Sequence, residues 1–203
     1  MTDGRKRGAG WTRPMTKAEI NECPMRGWSG PVTVVSRHAE LPAALSALRA
    51  ETILGFDTET RPAYKKGEHY PPSLLQLATE GEVFIFQLKK LGLDPELLAI
   101  LADPAITKAG VGLDYDIREL RQLAPFKAAG FVDLVTLAKK AGVRNHGLRG
   151  LAAVLLGFRI SKGAQTSNWA KDLLSGKQIS YAATDAWVGR QLYLTLRGIA
   201  GKG

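Results

Sequence analysis

The sequence is poor in the side chains that bind zinc or form disulfides. Cys23 is the only cysteine, and the three histidines, His38, His69 and His146, lie far apart in the chain. An internal disulfide is therefore excluded, and no Cys/His spacing typical of a zinc site is present. With so little cysteine, we expect the protein to work in a reducing compartment, the cytoplasm.

Long hydrophobic runs are also lacking. Uncharged stretches such as residues 150–158 are far shorter than the roughly 18 residues that a membrane span requires. The amino terminus is basic and polar and has no apolar segment behind it, so no signal peptide is expected. These absences argue against a membrane partner and predict a soluble, globular protein, for which 203 residues suit a single domain.

Negative charge is scarce relative to positive charge. The 28 Lys and Arg residues exceed the 19 Asp and Glu residues, which gives a formal net charge of +9. This balance says little about the fold, but it favours a polyanion as the partner, and nucleic acid is the first candidate. Residues 1–30 are basic and lack apolar periodicity, so we predict a flexible basic arm there, followed by one domain over residues 31–203.

The rest of the chain alternates strand-like and helix-like patterns. Residues 73–78 and 83–87 predict a hairpin because a short Gly-containing connection joins them. From residue 134 to residue 200 the pattern is almost wholly helical, with one irregular stretch over 159–169. Other strands are predicted at 32–35, 106–111 and 131–133, and helices at 39–50, 94–102 and 115–123. Strand followed by helix, repeated, predicts an α/β domain.

The run Ile-Leu-Gly-Phe-Asp-Thr-Glu-Thr at residues 53–60 ends in two carboxylates separated by one residue. Side chains alternate between the two faces of a strand, so Asp57 and Glu59 share one face. Two acids about 7 Å apart on a partly buried surface repel, and each raises the pKa of the other unless positive charge lies between them. A divalent cation meets this need. The alternative is that the strand ends here and both acids begin a solvated loop.

A second pair of acids follows the predicted strand at 106–111, where a helix begins. Ligands collect at such ends of α/β sheets because helix amino termini and loops converge there. The Gly-Val-Gly that ends this strand is not a dinucleotide fingerprint, since Tyr115 occupies the third glycine position. Asp114 directly precedes the helical run and is predicted to cap it, whereas Asp116, two positions later, must point elsewhere.

A third acidic position lies on the last predicted helix. Ser175 and Gln178 have the spacing of a capping box that opens this helix. Tyr181 and Asp185 are four residues apart on one face, which continues with apolar residues from Val188 onward. A carboxylate on an apolar face is costly without a partner, so Asp185 either pairs with a basic side chain or binds a metal ion.

Three of these stretches together resemble the motifs of the DEDD 3′–5′ exonucleases, in the branch with tyrosine in the third motif (DEDDy). The three are Phe-Asp-Thr-Glu-Thr at 56–60, the Gly-x-x-x-Asp turn at 112–116 and Tyr-Ala-Ala-Thr-Asp at 181–185. Leu-Gln-Leu-Ala at 75–78 and Ser-Asn-Trp at 167–169 are similar to ribonuclease D and Werner-type exonuclease domains. The resemblance spans residues 31–197, with the motifs in the family's order.

The resemblance implies a ribonuclease-H-like fold, a mixed β-sheet flanked by helices, and removal of nucleotides one at a time from a 3′ end. It also implies two Mg²⁺ or Mn²⁺ ions, and carboxylates without His or Cys are the ligands that such hard cations prefer. By resemblance, Asp57 bridges both ions and Asp116 holds the second one. Glu59 and Asp185 complete the site that holds the attacking water, and Tyr181 orients that water through its hydroxyl.

Residues in and after the first motif are candidate substrate contacts. They are Thr58, Arg61, Tyr64, Lys65 and Lys66. The loop at 61–66 directly follows the metal-binding strand, so we expect it to flank the incoming nucleic acid, with a solvated loop as the alternative. We favour DNA as the substrate. An RNA 3′-end processing enzyme similar to ribonuclease D and a catalytically silent nucleic-acid-binding module are the alternatives.

Overall fold

The computed structural model describes residues 9–200. Its centre is a six-stranded mixed β-sheet with the strand order β1-β4-β3-β2-β5-β6. The strands are β1 (Val32–Val35), β2 (Ile53–Glu59), β3 (Leu74–Ala78), β4 (Val83–Gln87), β5 (Thr107–Gly110) and β6 (Phe131–Asp133). β3 runs antiparallel to both of its neighbours, β2 and β4, and the other neighbouring pairs are parallel. The predicted hairpin is therefore confirmed as β3 and β4.

Helices cover both faces of this sheet. They are α1 (Lys17–Glu22), α2 (Leu41–Arg49), α3 (Leu88–Leu91), α4 (Pro95–Ala102), α5 (Leu113–Leu123), α6 (Leu134–Lys140), α7 (Leu148–Leu151) and α8 (Gly176–Ala200), with a 3₁₀ turn at His38–Glu40 and a π-helical turn at Ala152–Leu156. α2, α4 and α5 pack on one face, around Leu54 and Phe56 of β2, and α6 and α8 pack on the other. The predicted mixed sheet flanked by helices is confirmed.

Helix α8 lies directly on β2 and β5 because glycines leave room for it. A Cβ atom at Gly55 would lie 1.9 Å from the carbonyl oxygen of Ala186, and one at Gly189 would lie 2.8 Å from the carbonyl oxygen of Ala109. A side chain at either position would push the helix away from the close-packed sheet. This close approach brings Asp185 of α8 onto the face of β2 that carries the first motif.

The prediction of an almost continuous helical region over residues 134–200 is wrong in detail. Gly142 follows the end of α6 with φ of +81°, and Gly157 follows the π-helical turn with φ of +74°. Both glycines adopt the left-handed conformation that commonly ends helices. The chain has only short turns and extended backbone from residue 157 to residue 175, a longer irregular stretch than the sequence pattern predicted.

The predicted capping box at the start of α8 is confirmed. The backbone N–H of Gln178 donates to Oγ of Ser175 (3.3 Å), and the backbone N–H of Ser175 donates to Oε1 of Gln178 (3.1 Å). The Gln178 amide also donates to the carbonyl oxygen of Asn168 (3.1 Å), which ties the irregular stretch to the helix start. Among the helices of residues 9–200, none combines the length and apolarity needed to cross a membrane.

Residues 16–28 are part of the folded body, which differs from the predicted flexible arm. α1 begins with a capping box, and Ile20 is buried. The backbone N–H of Trp28 donates to the Thr184 hydroxyl of α8 (3.0 Å). The apolar residues of this segment are isolated in the sequence, so no periodicity revealed that they pack. The basic residues within 1–8 lie outside the described residues.

Candidate active site

Three carboxylates meet on the face of the sheet that α8 covers. Asp57 and Glu59 come from β2, and Asp185 comes from α8. Oxygen atoms of the three side chains lie within 4.8 Å of one another. Because side chains alternate along β2, its two acids lie on one face, and the close packing of α8 on that face adds Asp185. The structure thus brings together the acids of the first and third motifs.

Burial and mutual repulsion raise the pKa values of these acids. Burial is the largest cause for Asp57, whose pKa lies well above its ordinary value, and repulsion from the neighbouring acids, Asp185 first, adds to it. The pKa of Glu59 is raised to about 9, first by burial and then by repulsion from Asp185 and Asp116. Burial raises the pKa of Asp185 to about 7, although a hydrogen bond from Tyr181 lowers it. Without added positive charge, the cluster holds protons at neutral pH.

The donor set of this cluster fits a divalent cation. All of its donors are carboxylate oxygens, which Mg²⁺ and Mn²⁺ prefer over nitrogen or sulfur. Oδ1 of Asp185 is buried and has no hydrogen-bond partner among the described residues, so this oxygen is available as a ligand for a metal ion. Within residues 9–200 no basic side chain forms an ion pair with Asp185, so the described residues do not support the ion-pair alternative for this acid.

Asp116 lies beside the cluster rather than within it. Helix α5, which carries it, follows Gly112 in the left-handed conformation with φ of +73°. The Thr58 hydroxyl donates to Oδ1 of Asp116 over 2.5 Å, so the first-motif strand fixes the orientation of this carboxylate. Repulsion from Asp116 contributes to the raised pKa of both β2 acids, which places it within electrostatic reach of them.

The predicted capping role of Asp114 is wrong. α5 begins at Leu113, so Asp114 lies inside the first turn, is exposed, and accepts no capping hydrogen bond within the described part of the chain. The predicted start was too late because Gly112, the residue at the N-cap, has no side chain that would mark it. Asp114 and Asp116 do point in different directions, since Asp114 lines a surface cavity with Ile117 whereas Asp116 reaches β2.

Tyr181 lies one helical turn before Asp185, and its hydroxyl is near enough to that carboxylate to lower the pKa of Asp185. Its ring packs against Trp169 of the irregular stretch, with 5.8 Å between ring centroids. Burial is the main cause that raises the pKa of Tyr181 far above its ordinary value, and the neighbouring carboxylates add to it. The phenol is therefore protonated and acts as a hydrogen-bond donor. With Gln165 and Leu148 it lines the cavity of about 230 Å³ that contains the three acids.

The predicted substrate contacts are not gathered around this cavity. Thr58 lines the cavity, but its hydroxyl is committed to Asp116. Arg61 lies over the ring of Tyr70, 4.2 Å from the ring centroid. The backbone N–H groups of Tyr64 and Lys65 donate to the side-chain Oε2 of Glu68, and Tyr64 is 79% exposed. The side chains of Arg61, Tyr64, Lys65 and Lys66 do not belong to the lining of the carboxylate cavity.

Sequence reasoning missed three polar residues near the site. Glu119 is buried one turn after Asp116, and its Oε2 lies 2.7 Å from Nε2 of His69, which ties the loop after β2 to α5. Gln76 lies opposite Asp57 in the β2–β3 ladder, fully buried, and its amide has no hydrogen-bond partner among the described residues. Because Gln76 interrupts the apolar run of β3, the sequence indicates a polar side chain that is buried. Nothing in the local sequence connects His69 to Glu119.

Comparison with known proteins agrees with this geometry. The family model described as 3′-5′ exonuclease matches residues 32–199. The human exonuclease mut-7 homolog is 33% identical over 168 residues, which cover 69% of this chain and 19% of that protein. The mouse bifunctional 3′-5′ exonuclease/ATP-dependent helicase WRN is 33% identical over 150 residues, which cover 71% of this chain and 11% of that protein. The chain thus spans less than a fifth of the length of these two relatives.

Solved structures share the fold. The EXO domain of Aedes aegypti Nibbler superposes with a TM-score of 0.77 at 22% identity, covering 87% of this chain and 93% of that one. Escherichia coli RNase D, an exoribonuclease involved in structured RNA processing, superposes with a TM-score of 0.75 at 21% identity, covering 84% of this chain and 45% of that one. These neighbours fit the ribonuclease-H-like sheet and helix arrangement. Since the family model covers most of the chain, the protein belongs to the 3′–5′ exonuclease family.

Proposed function

We propose that this protein is a metal-dependent 3′–5′ exonuclease that hydrolyses phosphodiester bonds from the 3′ end of nucleic acid, with DNA as the first substrate to test. The observation that carries this proposal is the carboxylate cluster, in which oxygen atoms of three acids from two motifs lie within 4.8 Å of one another. A catalytically silent binding module has no need to keep several buried acids together, because their repulsion destabilises the fold.

The acids divide into two groups by position. Asp57, Glu59 and Asp185 would hold one Mg²⁺ or Mn²⁺ ion, and Asp57 with Asp116 would hold a second. When bound, such ions neutralise charge on the phosphate and lower the pKa of a coordinated water to make it a nucleophile. Thr58 keeps Asp116 turned toward the cluster through its hydroxyl. The site residues are thus held by β2, α5 and α8, three elements of the packed body.

Tyr181 is proposed to orient the attacking water. Its raised pKa keeps the phenol protonated, so the hydroxyl is a donor that cannot remove a proton at neutral pH. Its contact with Trp169 restricts the ring, and its position one turn before Asp185 directs the hydroxyl at the carboxylates. Positioning of this kind lowers the barrier because the reacting groups need no further alignment.

The loop at 61–66 remains a proposed contact for the nucleic acid. Lys65 and Lys66 are exposed in the loop after β2 and can meet phosphates on the outer side of the site, while Arg61 lies over the ring of Tyr70. We also propose that the exonuclease domain comprises residues 31–203 together with the docked segment 16–28. The single cysteine fits a reducing compartment such as the cytoplasm.

The test is incubation of the purified chain with 5′-labelled single-stranded DNA, recessed-end duplex DNA and RNA of the same sequence, each with Mg²⁺ or Mn²⁺. We expect a ladder of 5′-labelled products that shortens with time from the 3′ end, and no ladder for Asp185→Asn. A faster ladder on RNA would assign the enzyme to RNA 3′-end processing. Tight binding of all three substrates without any shortening would identify a silent binding module and overturn the proposal.

A further inference from the structure

The carboxylate cavity opens into a second cavity that the catalytic roles above do not use. This second cavity has a volume of about 420 Å³, and it shares four lining residues, Leu148, Gln165, Tyr181 and Asp185, with the first. The two cavities therefore adjoin each other. A volume of this size is that of a small-ligand site, which suits one or two nucleotides and excludes a duplex.

The lining of the second cavity is basic. Lys17 of α1, Arg149 of α7 and Lys162 of the irregular stretch line it, and Asp185 is the only acid among its lining residues. Lys17 and Lys162 are exposed, and Arg149 is half-buried. We call this cavity the basic groove. Cations spaced along a groove that leads away from a carboxylate centre match the charge pattern of a nucleic-acid backbone whose end lies at that centre.

The wall of the basic groove is fixed by hydrogen bonds. The backbone N–H of Met15 donates to Oδ1 of Asn145 (2.8 Å), and the Asn145 amide donates back to the Met15 carbonyl oxygen (3.1 Å). The Arg149 guanidinium donates to Oδ1 of Asn21 (2.7 Å) and to the carbonyl oxygen of Ile160 (3.1 Å). The segment that contains α1 is thereby tied to the turn before α7. An arginine held in this way presents its remaining N–H groups with little loss of entropy.

We infer that the basic groove holds the backbone of a single nucleic-acid strand upstream of its 3′ end, and that α1 is part of the substrate-binding surface. This inference rests on the proposed function, because the 3′ end must lie at the carboxylates. Lys17, Arg149 and Lys162 contact phosphates of this strand from the lining of the groove. The N-terminal segment therefore contributes Lys17 to the substrate-binding surface.

A neighbouring cavity of about 610 Å³ offers a competing path. Arg26 and Lys177 line it, but it shares only Tyr181 and Asp185 with the carboxylate cavity. The basic groove is favoured because it shares more of its lining with the catalytic cavity and carries one more cation. The competing path predicts that substitutions at Arg26 and Lys177 weaken binding, and that substitutions in the basic groove do not.

The test reverses charge at the groove and at a matched control site. The groove variant is Lys17→Glu with Lys162→Glu, and the control is Lys139→Glu with Lys140→Glu at the end of α6, where both lysines are exposed. Both variants change the net charge equally, and exposed substitutions of this kind leave the fold intact. Binding of a fluorescent single-stranded oligonucleotide is measured by anisotropy with Ca²⁺, so that no turnover occurs.

We expect the groove variant to lose at least about tenfold in affinity and the control to lose much less. Because two phosphate contacts are removed, the slope of log Kd against log salt should fall by about 1.4 for the groove variant. With Mn²⁺, the control variant should hydrolyse the p-nitrophenyl ester of thymidine 5′-monophosphate at the wild-type rate, because Lys139 and Lys140 lie outside the lining of both cavities. Equal affinity of the two variants would overturn the inference, as would a larger loss for Arg26→Glu with Lys177→Glu.

The two proposals fail in distinguishable ways. If the wild-type chain hydrolyses neither the ester nor any oligonucleotide, the proposed function fails, while the binding comparison still decides the groove. If the wild-type chain is active and the groove variant binds as the control does, the groove inference fails alone.

Discussion

The carboxylate cavity and the basic groove adjoin each other but are built in opposite ways. The cavity takes its acids from β2 and α8, elements packed against the core, and burial raises the pKa of each acid. The groove takes its cations from two short helices, α1 and α7, and from the irregular stretch, and two of the three cations are exposed. Hydrolysis requires catalytic groups at fixed distances in a site that excludes most water. Binding of a flexible strand instead requires charged side chains that can adjust their positions. The predictions below separate the two regions.

The largest single-residue effect outside the acids is expected at Tyr181. Tyr181→Phe removes only the hydroxyl, so it should lower kcat by roughly 10² to 10⁴ while the fold and DNA affinity stay close to normal. Single-turnover cleavage and anisotropy binding with Ca²⁺ measure the two quantities. A variant that cleaves at the wild-type rate would show that the ring serves only packing.

The neighbouring acids Asp114 and Asp116 are expected to differ strongly. Asp116→Asn removes a charge beside the cluster and should cost about 10² to 10³ in turnover, whereas Asp114→Asn changes an exposed residue and should be nearly silent. The pair is a matched control because both substitutions remove one carboxylate from the first turn of α5. If Asp114→Asn were the inactive variant, the register assigned to the second motif would be wrong by two residues.

The stability of the metal-free protein should fall as pH rises. The pKa of Glu59 is about 9 in the folded state against an ordinary 4.5, and that of Asp185 is about 7 against 3.8. Between those values the folded state binds protons that the unfolded state has released, so stabilisation by these groups is complete below about pH 4 and is lost toward pH 9.

Thermal unfolding checks this pH dependence. With EDTA, Tm should decrease from pH 6 to pH 9, and the decrease should be smaller for Glu59→Gln. Mn²⁺ should raise Tm most at the higher pH, because deprotonated acids bind the ion better. A Tm that stays constant or increases over this range with EDTA would show that the acids are not held protonated by burial.

The smallest effect is expected in the loop after β2. Lys65→Ala with Lys66→Ala should weaken oligonucleotide binding severalfold and flatten its salt dependence, with no change in the metal requirement. The groove variant, Lys17→Glu with Lys162→Glu, provides the comparison and should have the larger effect. An unaltered salt slope for the loop variant would identify 61–66 as a solvated loop.

The carboxylate cavity could be predicted from the sequence because each acid sits in a local pattern. Asp57 and Glu59 share a strand face by alternation, and Tyr181 and Asp185 share a helix face by spacing. The groove could not be predicted, because Lys17 and Lys162 are far apart in the sequence and line one cavity only through long-range packing, which includes the hydrogen bond between Met15 and Asn145. A hydrogen bond between distant polar residues leaves no periodic signal in either segment.

The same distinction between local sequence patterns and long-range contacts explains where the predicted fold was wrong. The core elements follow from apolar periodicity, and the hairpin follows from its Gly-containing turn. The start of α5 was misplaced because Gly112 adopts a left-handed conformation, which residue type permits but does not require. The packing of the N-terminal segment leaves no periodic signal because Ile20, which is buried, and Trp28, which is partly buried, are isolated apolar residues in the sequence.

Metal dependence of cleavage tests the central claim most directly. The wild-type chain is incubated with a 5′-labelled single-stranded oligonucleotide in EDTA, and Mg²⁺, Mn²⁺ or Ca²⁺ is then added in excess. Because the buried acids need a hard cation for turnover, EDTA should abolish the product ladder, and Mg²⁺ or Mn²⁺ should restore it. Ca²⁺, which is larger and less strict in geometry, should bind without supporting turnover. Undiminished cleavage in excess EDTA would contradict the account.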